Sequence, residues 1–202
     1  MGNILSDLID AKGWCVADGA TGTNLFNRGL ETGYPPELWS VERPEEITCL
    51  HRGFLQAGSD LILTNSFGGT SFRLALHNAQ DRTRELNVAA ANLARKAVEA
   101  HSSVSGRQAI VAGSIGPTGE LFTPLGQLTH ATALAGFTEQ AEALAEGGVD
   151  VLWIKTMSST EEVVAAIEGA KKTGLPICAT MTLDTATRSM MGFTPADFAK
   201  FA

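Results

Sequence analysis

Aromatic residues are scarce, at 6% of the 202 positions, which leaves little with which to stack exposed bases. Basic residues are outnumbered. Lys plus Arg is 15 against 22 Asp plus Glu, a formal charge of −7. A chain with no basic surplus displaces few counterions from a nucleic-acid backbone, so no nucleic-acid partner is expected. No run of about 18 apolar residues occurs, so no membrane-spanning helix is expected. The segment 1–11 also lacks the basic start and long apolar core of a signal peptide. Cysteine is sparse: Cys15, Cys49 and Cys178 lie far apart. An odd, scattered set is not a disulfide framework, and a cytoplasmic location is the expectation. There is no CxxC and no paired-histidine motif. His51, His77, His101 and His130 are scattered, so no metal site has recognisable ligand spacing. Isolated histidines of this kind are expected at the surface or at helix caps.

What the chain does have is alternation. Short continuous apolar runs occur at Trp14–Asp18, Asp60–Thr64, Ala109–Gly113, Val149–Ile154 and Ile177–Met181. Continuous rather than alternating runs predict strands covered on both faces. Helix-length amphipathic stretches lie between them. Pro44-Glu-Glu46 opens one, with proline and acids suited to a first turn. Ile47, Leu50 and Phe54 continue its face and Gly58 follows its end. A second carries Leu86, Ala90, Leu93 and Ala97, and a third Leu134, Phe137, Ala141 and Leu144. Ser158-Ser-Thr-Glu161 reads as a capping box for a fourth, which stops at Gly174. Phe193-Thr-Pro195 starts a fifth. At least five strand–helix alternations predict an α/β fold with a parallel sheet, open or closed into a barrel. Asp18-Gly-Ala-Thr-Gly-Thr23 is a poor match to a dinucleotide fingerprint, with no third glycine and an acid where phosphate would approach.

In a parallel barrel, chemistry sits at the carboxyl ends of the strands. Those ends carry Asp18 and Gly19, Thr64 and Asn65, Ser114 with the 116–119 turn, Lys155 and Thr156, and Thr180. Asp18, Gly19, Thr64, Asn65 and Lys155 are therefore the candidate substrate-binding residues, gathered around one pocket. A carboxylate closing a buried strand needs partners. Asp18 would hold a substrate ammonium or cap its own turn through Thr21 or Thr23. The amide of Asn65 suits an amino-acid ligand or a structural turn. The glycines of 113–119 let backbone approach a ligand or make a tight loop. Met190 and Met191 read as packing.

The same segments resemble the homocysteine S-methyltransferase family, which includes betaine–homocysteine methyltransferase and the homocysteine module of cobalamin-dependent methionine synthase. The resemblance is carried by Asp18-Gly-Ala-Thr-Gly-Thr-Asn24, His51-Arg-Gly-Phe-Leu-Gln-Ala-Gly-Ser-Asp60, Thr64-Asn-Ser-Phe-Gly-Gly69, Glu85-Leu-Asn87, Ala112-Gly-Ser-Ile-Gly-Pro-Thr118, Thr156-Met-Ser158, Thr180-Met-Thr182 and Gly192-Phe-Thr-Pro195. It runs the length of the chain in order. Glu37-Leu-Trp39 and Gly116-Pro-Thr-Gly-Glu120 look closest to stand-alone bacterial betaine-type enzymes.

The resemblance implies a (β/α)8 TIM-type barrel, of which 1–202 is the N-terminal part and supplies about the first five β/α units. It implies methyl transfer from betaine or a related donor to homocysteine, giving methionine. It further implies zinc, held in the family by three cysteine thiolates on the sixth and eighth strands, which on this register lie beyond Ala202. None of Cys15, Cys49 and Cys178 falls at those positions, so no zinc is expected for this chain alone. The implied partners are small molecules, with a homo-oligomer left open. One position departs from the pattern. Where the family ends its fourth strand in a glutamate that holds the homocysteine ammonium, this chain has Lys155, a reversal of sign at close range. Two other readings stand beside methyl transfer: Lys155 as a Schiff-base lysine of a lyase or aldolase, or an inactive truncated module.

Overall fold

In the computed structural model, residues 4–184 and 186–201 are described. The opening residues of the segment 1–11, read above for a leader, lie outside them. So does Ala202, the residue past which the family resemblance puts the zinc cysteines. Four parallel strands form one sheet: β1 (Leu61–Leu63), β2 (Ile110–Ile115), β3 (Val151–Met157) and β4 (Ile177–Met181). Their spatial order is their sequence order, with β1 on β2, β2 on β3 and β3 on β4. No strand is skipped, so no reversal point of a doubly wound sheet occurs among them. The α/β class and the parallel sheet are as expected. Of the five anticipated strands, four form.

The exception is Trp14–Asp18. It makes a single parallel bridge, Ala17 to Leu61, with Asp18 N–H donating to the Leu61 carbonyl at 2.9 Å. Trp14 and Val16 are exposed, so the run lacks the cover on both faces that its composition suggested. The Asp60 carboxylate anchors it by accepting from Val16 N–H at 3.1 Å and from Lys12 Nζ at 2.6 Å.

The longer helices are α1 (Ile4–Lys12), α4 (Pro44–Ala57), α6 (Thr83–Ser105), α7 (His130–Glu146), α8 (Thr160–Lys171) and α9 (Pro195–Phe201). Short helices α2 (Gly22–Phe26), α3 (Trp39–Glu42) and α5 (Ser71–Ala75) lie between them. Helix α4 starts at Pro44 and closes on Gly58, whose φ of 107° only glycine adopts freely. The cap of α8 is one residue later than the sequence suggested: Ser159 accepts from Glu162 N–H at 3.2 Å. Glu162 does not reach back to complete a box. It is buried and accepts from both N–H and Oγ1 of Thr118, at 2.8 and 2.6 Å, tying the loop after β2 to the start of α8.

Strand alternation sorts side chains onto two faces. Ile62, Val111, Ile115, Leu152 and Ile154 point outward into the main core with Ala94, Phe137, Ala141, Leu144, Val163 and Ala166 of α6, α7 and α8. Leu61, Ile110, Ala112 and Val151 point inward, where Leu5 and Leu8 of α1 pack on them with Trp153 and Cys15. Small residues on the helices let them lie close to the sheet. His51 departs from expectation. It is 1% exposed in α4 and neither ring nitrogen has a hydrogen-bond partner. Burial pushes its pKa down to about 4, so it is neutral. Met190 and Met191 also depart, being exposed rather than packed.

Candidate functional site

The five candidate residues come together. Asp18, Gly19, Thr64, Asn65 and Lys155 all line one cavity of about 580 Å³ at the carboxyl ends of the strands, with Glu37, Phe67, Arg73, His77 and Ser114. They do not all face it with free groups.

Thr64 and the amide nitrogen of Asn65 are spent on the floor. Thr64 Oγ1 accepts from Ser114 N–H at 2.9 Å and lies 2.6 Å from Ser66 Oγ, which donates to the Ser114 carbonyl at 2.8 Å. Asn65 Nδ2 donates to the Pro36 carbonyl at 2.7 Å and to Ser40 Oγ at 3.2 Å. These bonds pin the β1 loop to β2 and to the segment 36–40. The nearby glycines serve the same loop. Gly116 N–H donates to the Phe67 carbonyl at 3.0 Å, and a Cβ on Gly116 would sit 2.6 Å from the Phe67 ring. At Gly116 the close approach is to Phe67 rather than to a ligand.

Asp18 does face the cavity. Its Oδ2 accepts from Leu63 N–H at 2.9 Å, so it caps the end of β1 rather than its own turn. Burial raises its pKa to about 6, opposed by that hydrogen bond and by the charge of Lys155. Lys155 is half-buried, and burial lowers its pKa while Asp18 raises it. The two feel each other through space, without a direct hydrogen bond. Nζ of Lys155 lies 5.5 Å from the centre of the Phe67 ring.

Sequence reasoning passed over two groups. Glu37 is 6% exposed and its Oε1 accepts from Gly68 N–H at 2.7 Å. Burial pushes its pKa up, against the nearby Arg73 and His77. The signal was available only as part of Glu37-Leu-Trp39. Ser114 Oγ is buried in the cavity wall with no partner. A buried hydroxyl without a partner is uncommon.

The acid response of the fold carries a test. Asp18 titrates near 6 when folded against 3.8 as its ordinary value. The folded form holds its proton more tightly, so its contribution is present below pH 3.8 and lost as pH rises through 6. His51 runs the other way. Its folded value of about 4 lies below 6.5, so its contribution is present above pH 6.5 and lost as pH falls toward 4. The two oppose each other in the same window. Asp18→Asn removes one of them, and melting from about pH 7 to pH 4 is expected to fall more steeply than in the parent. Parallel curves for the two proteins would show that Asp18 ionises normally.

Among the described residues, no group of three or more His, Cys, Asp or Glu side chains is placed to hold a metal ion. Cys15 and Cys178 are half-buried and Cys49 is exposed, and none of them lines the cavity. The residues present do not fit a zinc centre, so no step below passes through one. No described helix is long and apolar enough to cross a membrane.

Residues 15–202 match the family model described as homocysteine S-methyltransferase. The chain is 30% identical to "Methionine synthase" of Mycobacterium tuberculosis, over 93% of this chain and 17% of that protein. It is 27% identical to "Methionine synthase" of Mycobacterium leprae, over 93% and 16%. It thus spans about a sixth of the length of these relatives. Among solved structures, the metallated form of the homocysteine methyltransferase MmuM from Escherichia coli is similar at a TM-score of 0.81 and 28% identity, covering 96% of this chain and 71% of that one. The oxidised form gives 0.84 and 27%, covering 98% and 72%.

Proposed function

Because the chain belongs to the homocysteine S-methyltransferase family, we propose that the strand-end cavity takes the amino-acid end of homocysteine for methylation at sulfur, with betaine or a related compound as donor. On this reading residues 1–202 are the N-terminal part of one homocysteine-binding barrel domain. The donor assignment rests on Glu37-Leu-Trp39 and Gly116-Pro-Thr-Gly-Glu120.

The observation that carries the reading is a mostly buried carboxylate, Asp18, in the wall of the strand-end cavity. Asp18 accepts the substrate ammonium, and its pKa of about 6 leaves it mostly ionised at neutral pH. Thr64, Ser66 and Asn65 hold the floor rigid, which fixes the direction in which the sulfur leaves the cavity toward a methyl donor. Displacement at a methyl carbon needs nucleophile and leaving group in line, so that positioning is where these residues contribute. Activation of the thiol is not assigned to any of them.

Calorimetry with homocysteine, beside an assay of methionine formation from betaine, tests this. Asp18→Asn is expected to weaken homocysteine binding by about 1.5–3 kcal/mol, the size of a charge-assisted hydrogen bond, which is roughly tenfold or more. Unchanged affinity in that variant, or no binding by the parent, would remove the cavity from the reaction.

A further inference from the structure

We propose that Lys155 is a carbonyl-capturing amine, placed on the inner face at the carboxyl end of β3 to form an imine with a small aldehyde or ketone in the strand-end cavity. This goes beyond methyl transfer and does not rest on it.

The backbone at this point is unusual. Alternation along β3 puts Val151 and Trp153 inward and Leu152 and Ile154 outward. Regular alternation would turn Thr156 outward and Met157 inward. Met157 instead returns to the outer core, and the register with β4 shifts between Ile154 and Met157. Thr156 absorbs the extra residue. It is exposed and sits at a φ of 65°, which costs a β-branched residue energy. Bulges of this kind re-aim side chains. The side chains it re-aims are those of Thr156 and Met157; Lys155 stands just before the bulge, on the inner face beyond Trp153 and within the cavity wall.

Its surroundings distinguish it from the other lysines. Lys12, Lys96, Lys171, Lys172 and Lys200 are exposed, with Lys12 bound to Asp60 at 2.6 Å. Lys155 is half-buried, has no salt bridge among the described residues, and faces the Phe67 ring at 5.5 Å. Partial desolvation favours the neutral, nucleophilic amine. Asp18 lines the same cavity with a pKa of about 6, so it both gives and takes a proton near neutral pH.

The chemistry balances without a further reagent. The Nζ lone pair attacks the carbonyl carbon, a C–N bond forms, and the carbonyl oxygen takes up the first of the two protons that the nitrogen gives up. Asp18 protonates the resulting hydroxyl, which leaves as water while the C=N bond forms. The second proton lost from nitrogen returns to Asp18. Amine and carbonyl become imine and water.

The test is reductive trapping of the full chain with pyruvate or propionaldehyde and borohydride, followed by mass mapping. The expected result is one adduct, at Lys155, formed well before any surface lysine reacts. Lys155→Arg keeps the cation but removes the nucleophile, and is expected to abolish the adduct while leaving the melting temperature unchanged. Asp18→Asn is expected to slow trapping by about a hundredfold, the range of a lost acid–base group. Adducts spread evenly over the exposed lysines, or no adduct at Lys155, would overturn the proposal. Normal trapping in Asp18→Asn would overturn the part given to Asp18. Homocysteine and methyl donor are absent throughout, so failure here and failure of the methyl-transfer reading are read separately.

Discussion

Replacing Lys155 by glutamate is expected to strengthen homocysteine binding at least tenfold. The cavity then presents two carboxylates, at 18 and 155, to the substrate ammonium, where the parent presents one carboxylate and one opposing cation. The gain is about 1.5–3 kcal/mol for a new charge-assisted hydrogen bond, which corresponds to roughly tenfold or more, with a further increment from relieved repulsion in a partly desolvated site. Lys155→Gln separates the two contributions: it removes the repulsion without adding an anchor, and its affinity is expected between those of the parent and the glutamate variant. Calorimetry on the three proteins reads the order directly. A parent that binds homocysteine more tightly than Lys155→Glu would mean that Lys155 contacts the carboxylate of the ligand or serves another acceptor altogether.

Gly69→Ala is expected to destabilise the fold by about 3–5 kcal/mol, a strained insertion compounded by unpaired buried groups. That lowers the melting temperature by roughly 10 °C for a chain of this size. The added Cβ would lie 2.5 Å from Asn87 Oδ1, 2.8 Å from Gln140 Nε2 and 2.9 Å from the Ser66 carbonyl. None of these can retreat cheaply. Asn87 Nδ2 donates to the carbonyls of Gly69 and Thr83 at 2.8 and 2.7 Å, and Gln140 Nε2 donates to the Ser66 carbonyl at 2.7 Å and to Asn87 Oδ1 at 3.1 Å. Both side chains are fully buried. The network joins the loop after β1 to α6 and α7, so its loss also loosens the floor beneath Asp18 and Ser114. Gly53→Ala is the control, because its Cβ meets nothing within 4 Å on a helix, where alanine is favoured over glycine. Melting of Gly69→Ala within a degree or two of the parent would show that the network rearranges at little cost.

The sequence predicted the strands that pack against helices, together with one run that forms no strand. Ala109–Gly113, Val149–Ile154 and Ile177–Met181 became strands because helices lie against their outward residues. Trp14–Asp18 has comparable composition, yet Trp14 and Val16 remain exposed and only one bridge forms. Composition cannot report which neighbour is present. The strand-end rule gathered five residues that do line one cavity, because a parallel sheet sends all its strand ends to one side. It could not say which of them keep free groups. Thr64 and the amide nitrogen of Asn65 are taken by partners up to fifty positions away, Ser114 and Pro36 among them. Glu37, named only within a motif, and Ser114, named only as a strand end, were not singled out for the converse reason: burial distinguishes them, and no local pattern announces it. His51 shows the same limit, since a histidine beside an arginine reads as a surface residue until the packing of α4 is known.

The unbroken order of β1 to β4 bears on how the molecule is made. Each strand pairs with the one synthesised just before it, and the helices follow suit, with α6 against α7 and α7 against α8. No strand of the four waits for a partner from much later in translation. Parallel pairing joins residues as far apart as Leu61 and Ile110 and is slow to form, yet each strand–helix unit can dock as it leaves the ribosome. The growing sheet then exposes one fresh edge at a time, and the next unit covers it before a neighbouring chain does.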